Sequence, residues 1–109
     1  LFEDLSHEEF YLLLLNRSNR VTEKLRLSVG GVTGTVVDMR LLVKPALLAL
    51  ASGVILAHNH PSGNLRPSEA DRRLTQKAKE ALKLFDIQLM DHLIITKEGY
   101  TSFADEGWL

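Results

Sequence analysis

The chain has 109 residues, of which 45% are hydrophobic and 25% charged, which fits one globular domain with a modest core. Its formal net charge of −1 provides no global basic field and argues against direct binding of nucleic acid. The absence of cysteine excludes disulfides and thiolate metal ligands and suits a reducing, cytoplasmic location. Its apolar runs are far shorter than the roughly 20 residues that span a bilayer, so no membrane segment is predicted.

The first predicted elements are strands. Residues 10–15 are apolar and predict a buried strand, and residues 21–29 alternate loosely and predict a second one. The polar residues 16–19 favour a turn between them, so the two strands are predicted to pair as a hairpin. After the break at Gly30-Gly31, residues 32–37 predict a third strand.

A helix is predicted after Asp38, which is typical of an N-cap, because apolar residues follow it at helical spacing. Pro45 lies within this pattern. Since proline has no N–H and crowds the preceding turn, we expect either a kink or a late start of the helix. Residues 54–57 are apolar on both faces, as a central strand covered on both sides must be.

The second half of the chain predicts another helix and further strands. The segment that starts at Ser68 is typical of a capping box, and it is followed by an apolar stripe at helical spacing, namely Ala70, Leu74, Ala78, Ala81, Leu82 and Phe85. Short strands are predicted at 87–89, 93–96 and 100–103, with a turn at 97–99. The predicted fold class is therefore α/β (α+β), with one mixed sheet and two principal helices.

The residues that carry chemistry follow the predicted central strand. His58 and His60 are two positions apart, so an extended strand projects both imidazoles to the same face, and Pro61 ends the strand. Asp71 lies in the first turn of the next helix and can fold back over the rings. Two imidazoles and one carboxylate are a common catalytic zinc set whose fourth position is left for water.

Each of these residues also has a structural interpretation. An isolated His-x-His pair is more often structural than metal-binding, Asp71 alone is favoured at a helix N-terminus, and Ser68 alone is most simply an N-cap. On spacing alone, a metal site and a structural arrangement therefore both stay open.

Longer motifs add to this pattern. His58-x-His60-Pro61 followed by Ser68-x-x-Asp71 resembles the JAMM signature of the MPN (Mov34/JAB) metalloprotease fold. A narrower resemblance, to the bacterial RadC family, extends over HNHPSGN at 58–64, RPS at 66–68, DHL at 91–93 and the closing residues 103–104 and 107–108. It covers essentially the whole chain.

The resemblance implies one MPN/JAB-like domain over residues 1–109, with a cytidine deaminase-like, mainly antiparallel sheet flanked by two principal helices. We expect this domain to be the C-terminal part of a longer RadC-type protein, since the chain begins at Leu1 without a methionine.

The resemblance also implies a role for each site residue. His58, His60 and Asp71 would hold one Zn²⁺ per chain, and Ser68 would hydrogen-bond the oxyanion of a tetrahedral intermediate. A glutamate just before a short apolar strand would take the proton from water. Glu9 matches that placement best and Glu8 is its rival, although the glycine that JAMM proteins commonly have at the position of Leu12 is absent.

The function implied by the resemblance is that of a zinc-dependent metallopeptidase-like hydrolase, with a peptide or isopeptide amide bond of a peptide or protein as its substrate. Two alternatives stay open: a non-catalytic MPN-type interaction module, and a DNA-repair-associated accessory role, with which the RadC family is traditionally labelled. His92 follows Asp91, and we interpret it as a structural hydrogen-bonding residue rather than a ligand.

Overall fold

The computed structural model describes residues 6–27 and 37–109. These form β1 (Phe10–Leu15), β2 (Val21–Leu27), α1 (Met39–Leu48), β3 (Gly53–Asn59), α2 (Glu69–Lys83), β4 (Gln88–Thr96) and β5 (Gly99–Ser102). The strands make one sheet in the order β2-β1-β3-β4-β5. The pair β3–β4 is parallel and the other neighbouring pairs are antiparallel, so the predicted mixed, mainly antiparallel sheet with two helices is confirmed.

The predicted hairpin is confirmed, since β1 and β2 are antiparallel neighbours. The end of the second predicted strand, the Gly30-Gly31 break and residues 32–36 of the predicted third strand lie outside the described residues. Residues 54–57 fall within β3, which lies at the centre of the sheet, as predicted. Within the two described ranges, no helix is long and apolar enough to cross a membrane.

Both helices begin where the capping residues predict. The Asp38 side chain accepts the N–H of Arg40, and α1 starts at Met39, so the late start considered because of Pro45 is wrong. Pro45 has no N–H to give the carbonyl of Leu41. Leu41 itself is 47% exposed, so water can satisfy this carbonyl. For α2, the capping box between Ser68 and Asp71 is present, as predicted.

The last part of the sheet differs from prediction. The two short strands expected at 87–89 and 93–96 are one nine-residue strand, β4. The polar residues Asp91 and His92 interrupt the apolar pattern without ending the strand, because both side chains find buried or half-buried partners: Asp91 accepts from Ser102 at 2.6 Å, and the His92 ring is wholly buried.

One face of the sheet forms the core together with both helices. Its central members include Phe10, Leu12 and Leu14 of β1, Val54 and Leu56 of β3, Leu42 and Ala46 of α1, and Leu74, Ala78 and Leu82 of α2. Along β3 the next residue on this face is His58. Because α2 follows β3 and returns the chain to the parallel strand β4, the start of α2 lies beside the carboxyl end of β3, where parallel α/β units usually build their sites.

We expect the Leu56→Ala substitution to lower the free energy of unfolding by about 2–5 kcal/mol, because a fully buried leucine leaves a cavity when truncated and Leu56 is 0% exposed. The matched control is Leu48→Ala, at a residue that is 76% exposed. Its free energy of unfolding should change by no more than about 0.5 kcal/mol. Urea denaturation at neutral pH measures both. Equal losses in the two variants would contradict this assignment of the core.

Candidate metal centre

Three side chains converge where β3 ends and α2 begins. Nε2 of His58 lies 3.0 Å from Nε2 of His60 and 3.2 Å from Oδ1 of Asp71, while Nε2 of His60 lies 3.0 Å from Oδ2 of Asp71. One possible ligand atom from each residue lies within 4.8 Å of the others. The fold therefore brings the three predicted ligands into one cluster that could hold a metal ion.

The cluster is closed towards the core and open on one side. The His58 side chain is 0% exposed and that of Asp71 1%, whereas the His60 side chain is 16% exposed. Ser68, at the start of α2, is exposed. A molecule in solvent can thus reach the site along the side that carries His60 and Ser68.

The contact made by Nδ1 of His60, the ring nitrogen that points away from the cluster, shows that this nitrogen carries a proton. Nδ1 lies 2.7 Å from the carbonyl oxygen of Asn64. Since a carbonyl only accepts hydrogen bonds, Nδ1 of His60 donates to it. With Nδ1 donating, a proton on Nε2 makes the ring a cation that can donate to Asp71. Loss of that proton leaves on Nε2 a lone pair that points at His58 and Asp71.

Nδ1 of His58, the ring nitrogen that points away from the cluster, contacts the buried side chain of His92. This nitrogen lies 2.8 Å from Nε2 of His92, and Nδ1 of His92 lies 2.6 Å from Oγ1 of Thr75. The structural role predicted for His92 thus takes the form of a direct contact with a candidate ligand. No role was predicted for Thr75 from the sequence. It lies four positions after Asp71 and therefore on the same face of α2, and this spacing could have indicated it.

Hydrogen bonds and burial oppose each other at Asp71. Burial alone would raise its pKa, but the hydrogen bonds from His58, from His60 and from the Ser68 backbone outweigh burial and hold the pKa of this carboxyl well below its usual range. A carboxylate and the lone pair of a neutral imidazole at this separation repel each other unless a proton or a cation lies between them. Nitrogen and oxygen donors without thiolate suit a divalent metal ion, so these residues fit a metal.

The pKa values of His60 and His92 shift in opposite directions. The hydrogen bond with Asp71 is the main cause that raises the pKa of His60; burial opposes it, and the charge of Glu8 adds to the rise. Burial is the main cause that lowers the pKa of His92 to about 3; the charges of His58 and His60 act in the same direction, and the charge of Asp71 opposes them. His92 is therefore a neutral ring at physiological pH.

Ser68 lies in the capping box of α2, next to the cluster. Its backbone N–H donates to Oδ2 of Asp71 at 2.8 Å, and its Oγ accepts the N–H of Asp71 at 3.0 Å. Since the hydroxyl accepts in this arrangement, its own O–H can still donate elsewhere.

The structure does not bring Glu9 to the cluster. Phe10 pairs with His58 across β1 and β3, so these two side chains share a face and Glu9 projects from the opposite one. On that opposite face the Tyr11 hydroxyl donates to Oε2 of Glu9 at 2.8 Å. Glu8 lies just before β1, two positions ahead of Phe10, and its charge acts on the pKa of His60.

The chain resembles proteins of one family along nearly its full length. The sequence pattern of the RadC-like JAB domain matches residues 1–108. A UPF0758 protein of Flavobacterium johnsoniae is 54% identical over 104 residues, which are 95% of this chain and 45% of that protein. A UPF0758 protein of Porphyromonas gingivalis is 52% identical over 107 residues, 97% of this chain and 47% of its own length.

A further relative is the UPF0758 protein YfjY of Escherichia coli, 46% identical over 105 residues, which cover 96% of this chain and 66% of YfjY. The chain spans about half the length of the first two relatives.

In the metal-free protein, we expect the free energy of unfolding to fall as the pH falls from about 6.5 towards 4. Over this range the unfolded chain protonates His92 at its ordinary pKa of 6.5, whereas the folded protein, with a pKa of about 3, does not, so acid favours the unfolded state. Asp71 acts in the same direction below its ordinary value of 3.8. The raised pKa of His60 has the opposite effect, but above pH 6.5.

Urea denaturation in the presence of a chelator, at several pH values within this range, measures the slope. The His92→Gln variant is the control and should show a shallower dependence on pH. An unchanged slope in that variant would show that another group causes the acid sensitivity.

Proposed function

The chain belongs to the RadC-like JAB domain family, and from that premise we propose that it is a zinc-dependent, metallopeptidase-like hydrolase that cleaves a peptide or isopeptide amide bond. The observation that carries the proposal is the convergence of two imidazole Nε2 atoms and one carboxylate. Two nitrogens and one oxygen are a usual catalytic zinc set, with the fourth position left for water. The partly exposed His60 leaves a side from which a substrate can approach.

We assign the ligand roles to His58, His60 and Asp71. Zinc bound by them would supply a Lewis acid and lower the pKa of water towards about 7. The residues around the ligands add orientation. The capping box fixes the Asp71 carboxylate through the Ser68 N–H, and the Asn64 carbonyl fixes the His60 ring.

Ser68 is the proposed donor to the oxyanion that develops on the substrate carbonyl. Its exposed side chain and its O–H, which the capping box does not use, support this role. One such donor contributes roughly 3 kcal/mol to transition-state stabilisation in other enzymes.

Glu8 is the proposed proton acceptor, in place of Glu9. It would take the proton of the attacking water and pass it to the leaving amine, as a general base and then a general acid. Two observations favour Glu8: the Glu9 carboxylate is held by the Tyr11 hydroxyl on the face opposite His58, and the charge of Glu8 contributes to the raised pKa of His60.

Metal content tests the ligand set first. We expect about one zinc per chain in the purified protein, or after reconstitution, in line with a single three-ligand site. His60→Ala should lose it, and this variant is chosen because His60 is less buried than the other ligands. His7→Ala, at an exposed histidine outside the cluster, should keep the zinc. Failure of the unaltered protein to bind zinc would refute the proposal.

The two glutamates are distinguished by a matched pair of variants. On a substrate found by screening the unaltered protein against fluorogenic peptides and isopeptide-linked peptides, Glu8→Gln should lower kcat by about 10²–10⁴-fold and retain zinc. Glu9→Gln should stay close to the unaltered protein. The reverse result would return the role to Glu9, and retained zinc without turnover of any amide would favour a non-catalytic interaction module.

A further inference from the structure

A buried chain of hydrogen bonds connects one candidate ligand to the helix that carries another. Oγ1 of Thr75 lies 2.7 Å from the backbone carbonyl oxygen of Asp71 and 2.6 Å from Nδ1 of His92. Nε2 of His92 lies 2.8 Å from Nδ1 of His58. His58 in turn faces the carboxylate of Asp71, so the contacts form a closed ring that begins and ends at Asp71.

The position of each proton in this ring follows from the contacts. Two oxygens 2.7 Å apart need a hydrogen between them, and since the Asp71 carbonyl only accepts, the Thr75 hydroxyl donates to it. Oγ1 of Thr75 has no second hydrogen, so Nδ1 of His92 donates to Oγ1. A neutral His92 then has a bare Nε2, which accepts the Nδ1–H of His58.

His92 is held as a neutral, fixed ring by its surroundings. The ring is 0% exposed, and it stacks on Phe103 with ring centroids 4.7 Å apart and an interplanar angle of 17°. The Phe10 ring also lies near it, with centroids 5.9 Å apart and an interplanar angle of 60°. Burial against apolar rings disfavours a charged imidazolium, and the contacts at both ring nitrogens hold the ring in one orientation.

We propose that Thr75 and His92 are positioning residues that set the tautomer of His58, so that its Nε2 carries the lone pair a metal requires. The inference rests on the metal site of the proposed function and adds residues that no ligand motif contains. The two histidine ligands are thus oriented in different ways. The loop carbonyl of Asn64 orients the partly exposed His60. The buried side chains of His92 and Thr75, which we call the relay, orient His58.

The decisive variant is Thr75→Val, which keeps the shape of the side chain and removes the hydroxyl. In the metal-free protein, ¹⁵N NMR of the histidine rings should show a proton on Nδ1 of His58, beside any proton that its Nε2 shares with His60 and Asp71. In Thr75→Val, we expect Nδ1 of His58 to lose this proton in part or in full. Zinc affinity, measured by competition with a chromogenic chelator, should fall about 10–100-fold, as it does when an outer partner of a ligating histidine is removed.

Thr75→Ser is the matched control, since it keeps the hydroxyl, and it should restore both the tautomer and the zinc affinity. His92→Phe retains a ring against Phe103 and removes both hydrogen bonds, and it should lose affinity to the same extent. A merely structural role would make Thr75→Val less stable without changing the His58 tautomer or the zinc affinity, and that result would overturn the inference.

Failure of this inference differs from failure of the proposed function. If the unaltered protein binds no zinc, the proposed function is wrong, but the metal-free NMR spectra still decide whether Thr75 and His92 set the tautomer. If the unaltered protein binds zinc and Thr75→Val binds it equally well with the same His58 tautomer, the metal site stands and the relay is refuted.

Discussion

The Asp71 carboxylate joins the helix, the central strand and the candidate metal site. Oδ2 accepts the N–H of Ser68 at 2.8 Å, which completes the cap of α2, and lies 3.0 Å from Nε2 of His60. Oδ1 faces His58 at 3.2 Å. The helix N-terminus favours this negative charge, so the feature that starts α2 also holds a carboxylate against two imidazoles. The same carboxylate thus belongs both to the helix cap and to the candidate metal cluster.

Such a polar cluster is costly in a small core, because each buried polar group must keep a partner. Within residues 6–27 and 37–109, every buried side-chain nitrogen or oxygen has one. Removal of a single member leaves its partner unsatisfied, at a cost of about 1–3 kcal/mol. Thr75 and His92 are buried polar residues of this kind, and each has its partners within the cluster: Thr75 bonds the Asp71 carbonyl and His92, and His92 contacts His58.

Local patterns were enough to predict much of the fold. The apolar run of β1, its turn to β2 and the capping box of α2 depend on neighbours in sequence, and all three were predicted correctly. The single strand β4 was not, because Asp91 and His92 interrupt its apolar pattern and their partners, Ser102 and Thr75, come from other elements. A polar residue in a strand reads as a break until its distant partner is known.

In the candidate site, too, local sequence spacing predicts some residues, whereas others depend on the tertiary structure. Two histidines at spacing two in extended chain share a face whatever the tertiary structure, so the pair of imidazoles at the end of β3 could be predicted. The choice between Glu8 and Glu9 depends on the register of β1 against β3, and a shift of one residue moves every side chain to the other face. The pairing of Phe10 with His58 fixes that register, because it buries Phe10, Leu12 and Leu14 completely. Burial of apolar side chains in β1 thus places Glu9 beside Tyr11, on the face opposite the His58 imidazole.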